Sequence, residues 1–143
     1  MTNVKIISGS NGSGKSLYLS KLYNENEAKS LIVSDFTIFH NISSTDLINR
    51  EMSKGQHKLH MLLKAASAVS DGGTLIIDDI DTYLNPDSQQ NIISHLIEKN
   101  PNIKNIIVST HSPMIIMKSW QNCVINLDDI SGYEEFLKEV FNV

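Results

Sequence analysis

The sequence predicts an α/β fold in which a parallel five-stranded sheet carries helices on both faces. Two observations predict it. Short β-branched runs alternate with stretches of helical periodicity along the whole chain, and Gly, Pro or Asn punctuates nearly every change from one to the other. At 143 residues the chain fits one domain spanning 1–143, long enough to bury a core without metals or disulfides.

Val4-Lys5-Ile6-Ile7-Ser8 is a strand feeding a Gly/Ser-rich loop, and Ser16 to Tyr23 is a helix closed by Asn24-Glu25-Asn26-Glu27. Ser30 to Ser34 is a second strand. Residues 36 to 52 give little pattern beyond a short helix from Ser44 to Arg50, capped through Ser44-Thr45-Asp46. From Gln56 onward Leu59, Leu62, Leu63, Ala66 and Val69 form one stripe of an amphipathic helix, stopped by Asp71-Gly72-Gly73. Thr74-Leu75-Ile76-Ile77 is a buried-type strand that ends in two acids, Asp78 and Asp79. Ser88 to Lys99 is helical, with Ile92, Ile93, Leu96 and Ile97 on one face, and Pro101-Asn102 ends it. Asn105 to Thr110 and Cys123 to Leu127 complete the strands, and Tyr133, Phe136, Leu137, Val140 and Phe141 mark a final amphipathic helix.

Composition removes several function classes. A formal charge of −4 is at odds with the broad basic surface of an autonomous nucleic-acid binder. Cys123 is the single cysteine, so no internal disulfide forms and a reducing compartment fits. The opening MTNVKIISGSNGSGKS has no charged-then-apolar leader, and no apolar run reaches membrane-spanning length, so the expectation is a cytoplasmic protein without membrane insertion.

Gly9-Ser10-Asn11-Gly12-Ser13-Gly14-Lys15-Ser16 matches G-x-x-x-x-G-K-[ST] in full, between a strand and a helix. Small residues let consecutive backbone N–H groups turn inward around a phosphate, and the following helix adds the positive end of its dipole. Lys15 supplies a mobile point charge for the β- and γ-phosphates, and the Ser16 hydroxyl is a Mg²⁺ ligand. Candidate nucleotide-binding residues are Asn11, Gly12, Ser13, Gly14, Lys15, Ser16 and Leu17. A glycine-rich turn can match by chance, but such a turn need not stand between a strand and a helix.

Asp78 ends an apolar strand, the place for an acid that holds Mg²⁺. Asp79 follows at the same tip and can polarise an attacking water as general base. Acids also terminate strands and cap helices; the phosphate loop is what favours the catalytic reading. His111, in Ser109-Thr110-His111-Ser112-Pro113, lies just past the fourth strand, where a polar side chain can point at a γ-phosphate. Met52-Ser53-Lys54-Gly55-Gln56 precedes the long amphipathic helix. Ser53 reads as an N-cap, and Ser53, Gly55 and Gln56 also read as a second anion-binding surface, one suited to a neighbouring subunit.

Taken together, Gly9–Ser16, Met52–Gln56, Asp78-Asp79 and His111 resemble the ATP-binding cassette superfamily in order and interval. The signature serine lies 25 positions before Asp78, and His111 lies 33 after it. Ile80-Asp81-Thr82-Tyr83-Leu84-Asn85-Pro86 is similar to the D-loop region, and its Leu-x-Pro ending resembles the minimal soluble type, the OLD-like and SMC-like AAA ATPases, more than transporters. The resemblance implies a P-loop NTPase fold with strand order 5-1-4-3-2, ATP and Mg²⁺ as cofactors, and ATP hydrolysis. It also implies a head-to-tail, ATP-dependent homodimer, each ATP held between one subunit's Gly9–Ser16 loop and the other's Ser53–Gln56.

The departures from that family are specific. Only 37 positions separate Ser16 from Ser53 and no glutamine precedes Gln56, so the usual helical subdomain is largely absent and transport is disfavoured. Eight residues precede Gly9, leaving no aromatic adenine platform upstream. Asp79 stands where the family normally has Glu, and a carboxylate about 1 Å short of its station can cost ~10²-fold in rate, so slow hydrolysis is expected. A chain of this length is expected to have no room for a coiled-coil arm, nuclease or transmembrane coupling domain, so the effector is expected in a separate protein; the resemblance implies a nuclease or a DNA-associated protein as that partner. A non-hydrolysing switch is the alternative. A nucleotide kinase is disfavoured because Arg50 is the only arginine, and phosphoryl transfer between two anions calls for several guanidinium groups.

Overall fold

The computed structural model describes residues 2–9, 14–25, 29–40, 53–116 and 124–126. Five strands, β1 (Asn3–Ser8), β2 (Ser30–Val33), β3 (Thr74–Ile77), β4 (Asn105–Ser109) and β5 (Val124–Asn126), form one sheet in the order β2-β3-β4-β1-β5. Every pairing is parallel. Read from the other edge this is 5-1-4-3-2, the order implied by the family resemblance. Among the described residues the helices are α1 (Lys15–Glu25), α2 (Asp35–His40), α3 (Lys54–Ala68), α4 (Pro86–Lys99) and α5 (Pro113–Ile116).

The period of two along each strand assigns the faces. Val4, Ile6, Leu75, Ile77, Ile106 and Val108 point into one core, where α3 contributes Leu62 and Ala66 and α4 contributes Ile92, Ile93 and Leu96. Their neighbours Ile7, Ile76 and Ile107 point the other way, onto Leu19 of α1 with Tyr18, Leu22 and Tyr23 around it. Strands apolar on both faces can be covered only by helices on both faces, which is the reason the strands read as continuous hydrophobic runs.

Local chemistry fixes the helix ends. Asn85 caps α4, its Oδ1 accepting from the Ser88 N–H at 2.8 Å; Pro86 follows at the first turn, with Asp87 near the N-terminus and Lys99 near the C-terminus, in line with the dipole. The helix therefore starts two residues before Ser88. On α3 the buried row is Lys58, Leu62 and Ala66, spaced i, i+4, i+8, while Leu59 and Leu63 are half-buried. The apolar stripe expected on Leu59, Leu62 and Leu63 is thus rotated toward a lysine. Helix α2, in the stretch that gave little pattern, is short and starts on Asp35 directly after β2. The expected helices at 44–50 and over 133–141 lie outside the described residues. Among those described, no helix is long and apolar enough to cross a membrane.

Between α3 and β3, Gly72 takes a left-handed φ of 77° and Gly73 is hemmed in by backbone. A Cβ at Gly73 would come within 2.8 Å of the Lys29 and Ser70 carbonyl oxygens, and the Gly73 carbonyl accepts from the Lys104 N–H at 2.9 Å. Gly73→Ala is expected to cost about 1–3 kcal/mol through overpacking. Urea unfolding should show a lower midpoint at an unchanged m-value.

Candidate active site

In a parallel sheet every strand delivers its following loop to the same edge, and ligands bind outside the carboxyl ends of the strands. Here that edge collects Gly9 after β1, Ser34 and Asp35 after β2, Asp78 and Asp79 after β3, and Thr110 and His111 after β4. The strand order therefore brings together residues far apart in sequence.

Gly9 and Gly14 bound the glycine-rich loop with φ of 150° and 95°, conformations a side chain would strain. Asn11, Gly12 and Ser13 lie outside the described residues. Lys15 is buried, and its Nζ donates to the Gly9 carbonyl at 2.6 Å, so the ammonium reaches back across the loop that it follows. Ser16 is exposed at the first turn of α1, and its hydroxyl donates to Asp78 Oδ2 at 2.6 Å. Leu17 is half exposed. The other Asp78 oxygen, Oδ1, accepts from the Ser109 hydroxyl at 2.5 Å. Ser16 and Asp78 offer only hard oxygen donors, one carboxylate and one hydroxyl, the donor type that Mg²⁺ takes together with phosphate oxygens.

Asp79 has φ 52°, a left-handed conformation for a residue with a side chain. Its N–H donates to the Ser109 hydroxyl at 2.7 Å, so Ser109 holds both acids at once. Burial pushes the Asp79 carboxyl above the usual carboxylate range; the charges of Asp78, Asp35 and Asp81 push the same way, and His111 opposes them. His111 is exposed, and its backbone N–H donates to Asp81 Oδ1 at 3.3 Å beside the Thr110 hydroxyl at 2.7 Å. Asp81 thus ties the His111 loop to the loop of Asp79.

Ser53 and Gln56 make a complete capping box on α3. The Ser53 hydroxyl accepts from the Gln56 N–H at 3.2 Å, and Gln56 Oε1 accepts from the Ser53 N–H at 3.0 Å. Each side chain thus accepts from the other residue's backbone N–H, closing the first turn of α3 on itself. Gly55 has an intramolecular reason to lack a side chain: a Cβ would sit 2.5 Å from the Tyr83 carbonyl oxygen. Lys54 is unfavourably placed at a helix N-terminus, and its ammonium lies over the rings of Tyr83 and Phe39, 5.0 and 5.9 Å from the centroids. The segment expected to face a neighbouring subunit is therefore packed on the loop that follows Asp79.

Four residues of this edge escaped the sequence reading: Asp35, Lys58, Thr82 and Ser109. Lys58 is fully buried on α3, and its Nζ donates to the Asp79 carbonyl and to Thr82 Oγ1 (2.6 Å) and pairs with Asp35 Oδ1 at 2.9 Å. The only sequence signal was its place four residues before Leu62 and eight before Ala66, a core position that lysine seldom fills.

The raised Asp79 pKa has a consequence for stability. An acid whose folded pKa exceeds its unfolded value opposes folding once it ionises, so the penalty is present at neutral pH and absent well below the unfolded value of 3.8. Asp79→Asn is expected to raise the melting temperature near pH 7 in the absence of divalent metal. The gain should shrink as the pH falls below about 4, which thermal scans across that range check.

Comparison with known proteins gives the family and the fold. Residues 17–117 match the family described as "AAA domain, putative AbiEii toxin, Type IV TA system". The "Retron Vc95 probable ATPase" of Vibrio cholerae serotype O1 biovar El Tor is 31% identical in a 94-residue alignment that covers 57% of this chain and 18% of that protein. The matched segment thus spans less than a fifth of the length of that curated relative. Among solved structures, a "Putative ABC transporter (ATP-binding protein)" from Pyrococcus furiosus superposes with a TM-score of 0.59 at 16% identity, over 88% of this chain and 84% of the other. A DNA replication initiation factor gives 0.57 at 17% identity, over 100% of this chain and 46% of the other. The two structures share the fold, and the family match covers most of the chain: this protein belongs to that AAA-domain family.

Proposed function

We propose that the chain binds and hydrolyses ATP at the edge described above, with Mg²⁺, and that ATP closes two copies head to tail. The observation that carries the reading is the hydrogen bond from Ser16 to Asp78. It joins the start of the phosphate-loop helix to the tip of β3, two parts that a triphosphate and its cation would have to bridge. Asn11 to Leu17 wrap the phosphates, with Lys15 leaving the Gly9 carbonyl to meet the β- and γ-oxygens. Ser16 and Asp78 hold Mg²⁺, which when bound would neutralise phosphate charge. Asp79 accepts a proton from the attacking water, and His111 contacts the γ-phosphate.

The dimer reading rests on Ser53, Gly55 and Gln56. They sit at the N-terminus of a 15-residue helix whose first turn has no acid. Such an end favours an anion, and in a two-fold pair each copy's α3 would meet the other's ATP. A partner of separate origin, a nuclease or a DNA-associated protein, would convert closure into work, with residues 1–143 acting as one ATPase unit in the cytoplasm. Turnover alone is expected to be slow, because Asp79 is one methylene shorter than the family's Glu and its carboxyl is pushed toward the protonated form. The same two features favour a second reading, an ATP-dependent switch that releases phosphate only with its partner.

Lys15→Ala should abolish the heat of ATP binding in a calorimetric titration. Asp79→Asn should bind ATP and accumulate as a dimer with Mg²⁺, seen by light scattering after size exclusion. A monomer with ATP and Mg²⁺ in both the native chain and Asp79→Asn would remove the dimer reading and leave the binding site standing.

A further inference from the structure

The one fully buried cation of the described residues is not in the phosphate loop. Lys58 has no exposed surface, and an ammonium taken out of water costs several kcal/mol unless its surroundings replace the lost solvent. Three oxygens from two segments surround its Nζ: the Asp79 carbonyl and Thr82 Oγ1 in the loop after β3, and Asp35 Oδ1 at the start of α2. An ammonium has three protons, so its donor capacity is matched by three acceptors. The Thr82 hydroxyl, while accepting from Lys58, donates to Asp35 Oδ2 and lies 2.9 Å from the Asp79 carbonyl.

This arrangement is costly for a core, since a well-packed apolar residue at such a position is often neutral or more stabilising than a buried ion pair. What it provides is placement. The Asp79 backbone is left-handed at φ 52° and must be held there by its surroundings. Its N–H is held by Ser109 from β4, and its carbonyl is held by Lys58 from α3. The Asp79 side chain projects from a residue clamped on both sides.

We infer that Lys58 is a positioning residue of the hydrolytic site, its buried ammonium fixing the Asp79 main chain so that the carboxylate meets the attacking water, and tying that placement to α3. The inference rests on the reading of Asp79 as general base. It assigns Lys58 no contact with ATP. Because Lys58 lies one turn into the helix that begins at Ser53, Lys54 and Gly55, the same clamp links the Asp79 turn to the surface proposed to face a second copy.

The informative variant is Lys58→Met combined with Asp35→Asn, which removes the ion pair without leaving a buried charge alone. Far-UV circular dichroism shows whether it folds; Thr82→Val, which deletes one acceptor and keeps the ion pair, is the second arm. Two readouts are taken: steady-state phosphate release with ATP and Mg²⁺, and the NMR backbone coupling and carbon shifts of Asp79, which report its φ without nucleotide. The double variant is expected to lose the left-handed signature at Asp79 and to lower kcat by about 10²-fold at unchanged KM. Thr82→Val should fall in the same direction by a smaller factor. Retention of the Asp79 signature, or its loss with native kcat, overturns the inference; if the double variant does not fold, Thr82→Val with native signature and kcat overturns it. Should the native chain release no phosphate, loss of the Asp79 signature keeps the clamp and defeats only the hydrolytic reading, whereas a retained signature defeats both.

Discussion

Asp78 and the hydroxyls around it form the joint on which the arrangement turns. One oxygen takes the Ser16 proton from the start of α1, and the other takes the Ser109 proton from the end of β4. Neither contact would form if the sheet did not place the ends of β1, β3 and β4 side by side with all strands running the same way. The apolar faces of the sheet set the strand order, and the strand order decides which polar residues meet. In this fold hydrophobic burial does not merely stabilise the site; it selects its members.

Several bonds of the polar edge run from side chains to backbone. Ser109 accepts from the Asp79 N–H, Asp81 from the His111 N–H, and Lys58 donates to the Asp79 carbonyl. Backbone held in this way lets an acidic residue keep a left-handed turn that its own side chain disfavours. Burial holds the Asp79 carboxyl up, and the negative charges of Asp78, Asp35 and Asp81 crowded beside it push the same way, with His111 opposing them. Such concentrations of unrelieved charge are typical of sites that trade stability for chemistry.

Much of this was legible in the amino-acid order. Strands such as Thr74–Ile77 stood out because they are buried on both faces and closed by acids, and the glycine-rich loop because few local structures need that run of small residues before a lysine. The network behind the loop was not legible. Lys58 looks like an ordinary solvated lysine, and only packing against Asp35, 23 positions earlier, makes it a core residue. Ser109 was read only as part of a strand, because its bonds to Asp78 and Asp79 follow from β3–β4 pairing and not from any local pattern. Helix α2 escaped for a related reason: six residues give too little periodicity to register. What local sequence encodes is period and punctuation; which distant polar groups share an edge is a property of topology.

The capping box on α3 sets a threshold. Ser53 and Gln56 already satisfy one another's backbone donors, a mutual saturation worth about 1 kcal/mol. Any anion approaching that helix end therefore competes with a serine tethered to the same chain, present at an effective concentration no free solute attains. A lone carboxylate or inorganic phosphate offers little to tip that exchange, whereas an anion that presents several oxygens while a second protein surface closes behind it can. On the proposed dimer reading, self-saturation of this kind would disfavour a lone anion and leave the helix end to a polyanion carried in by a second copy.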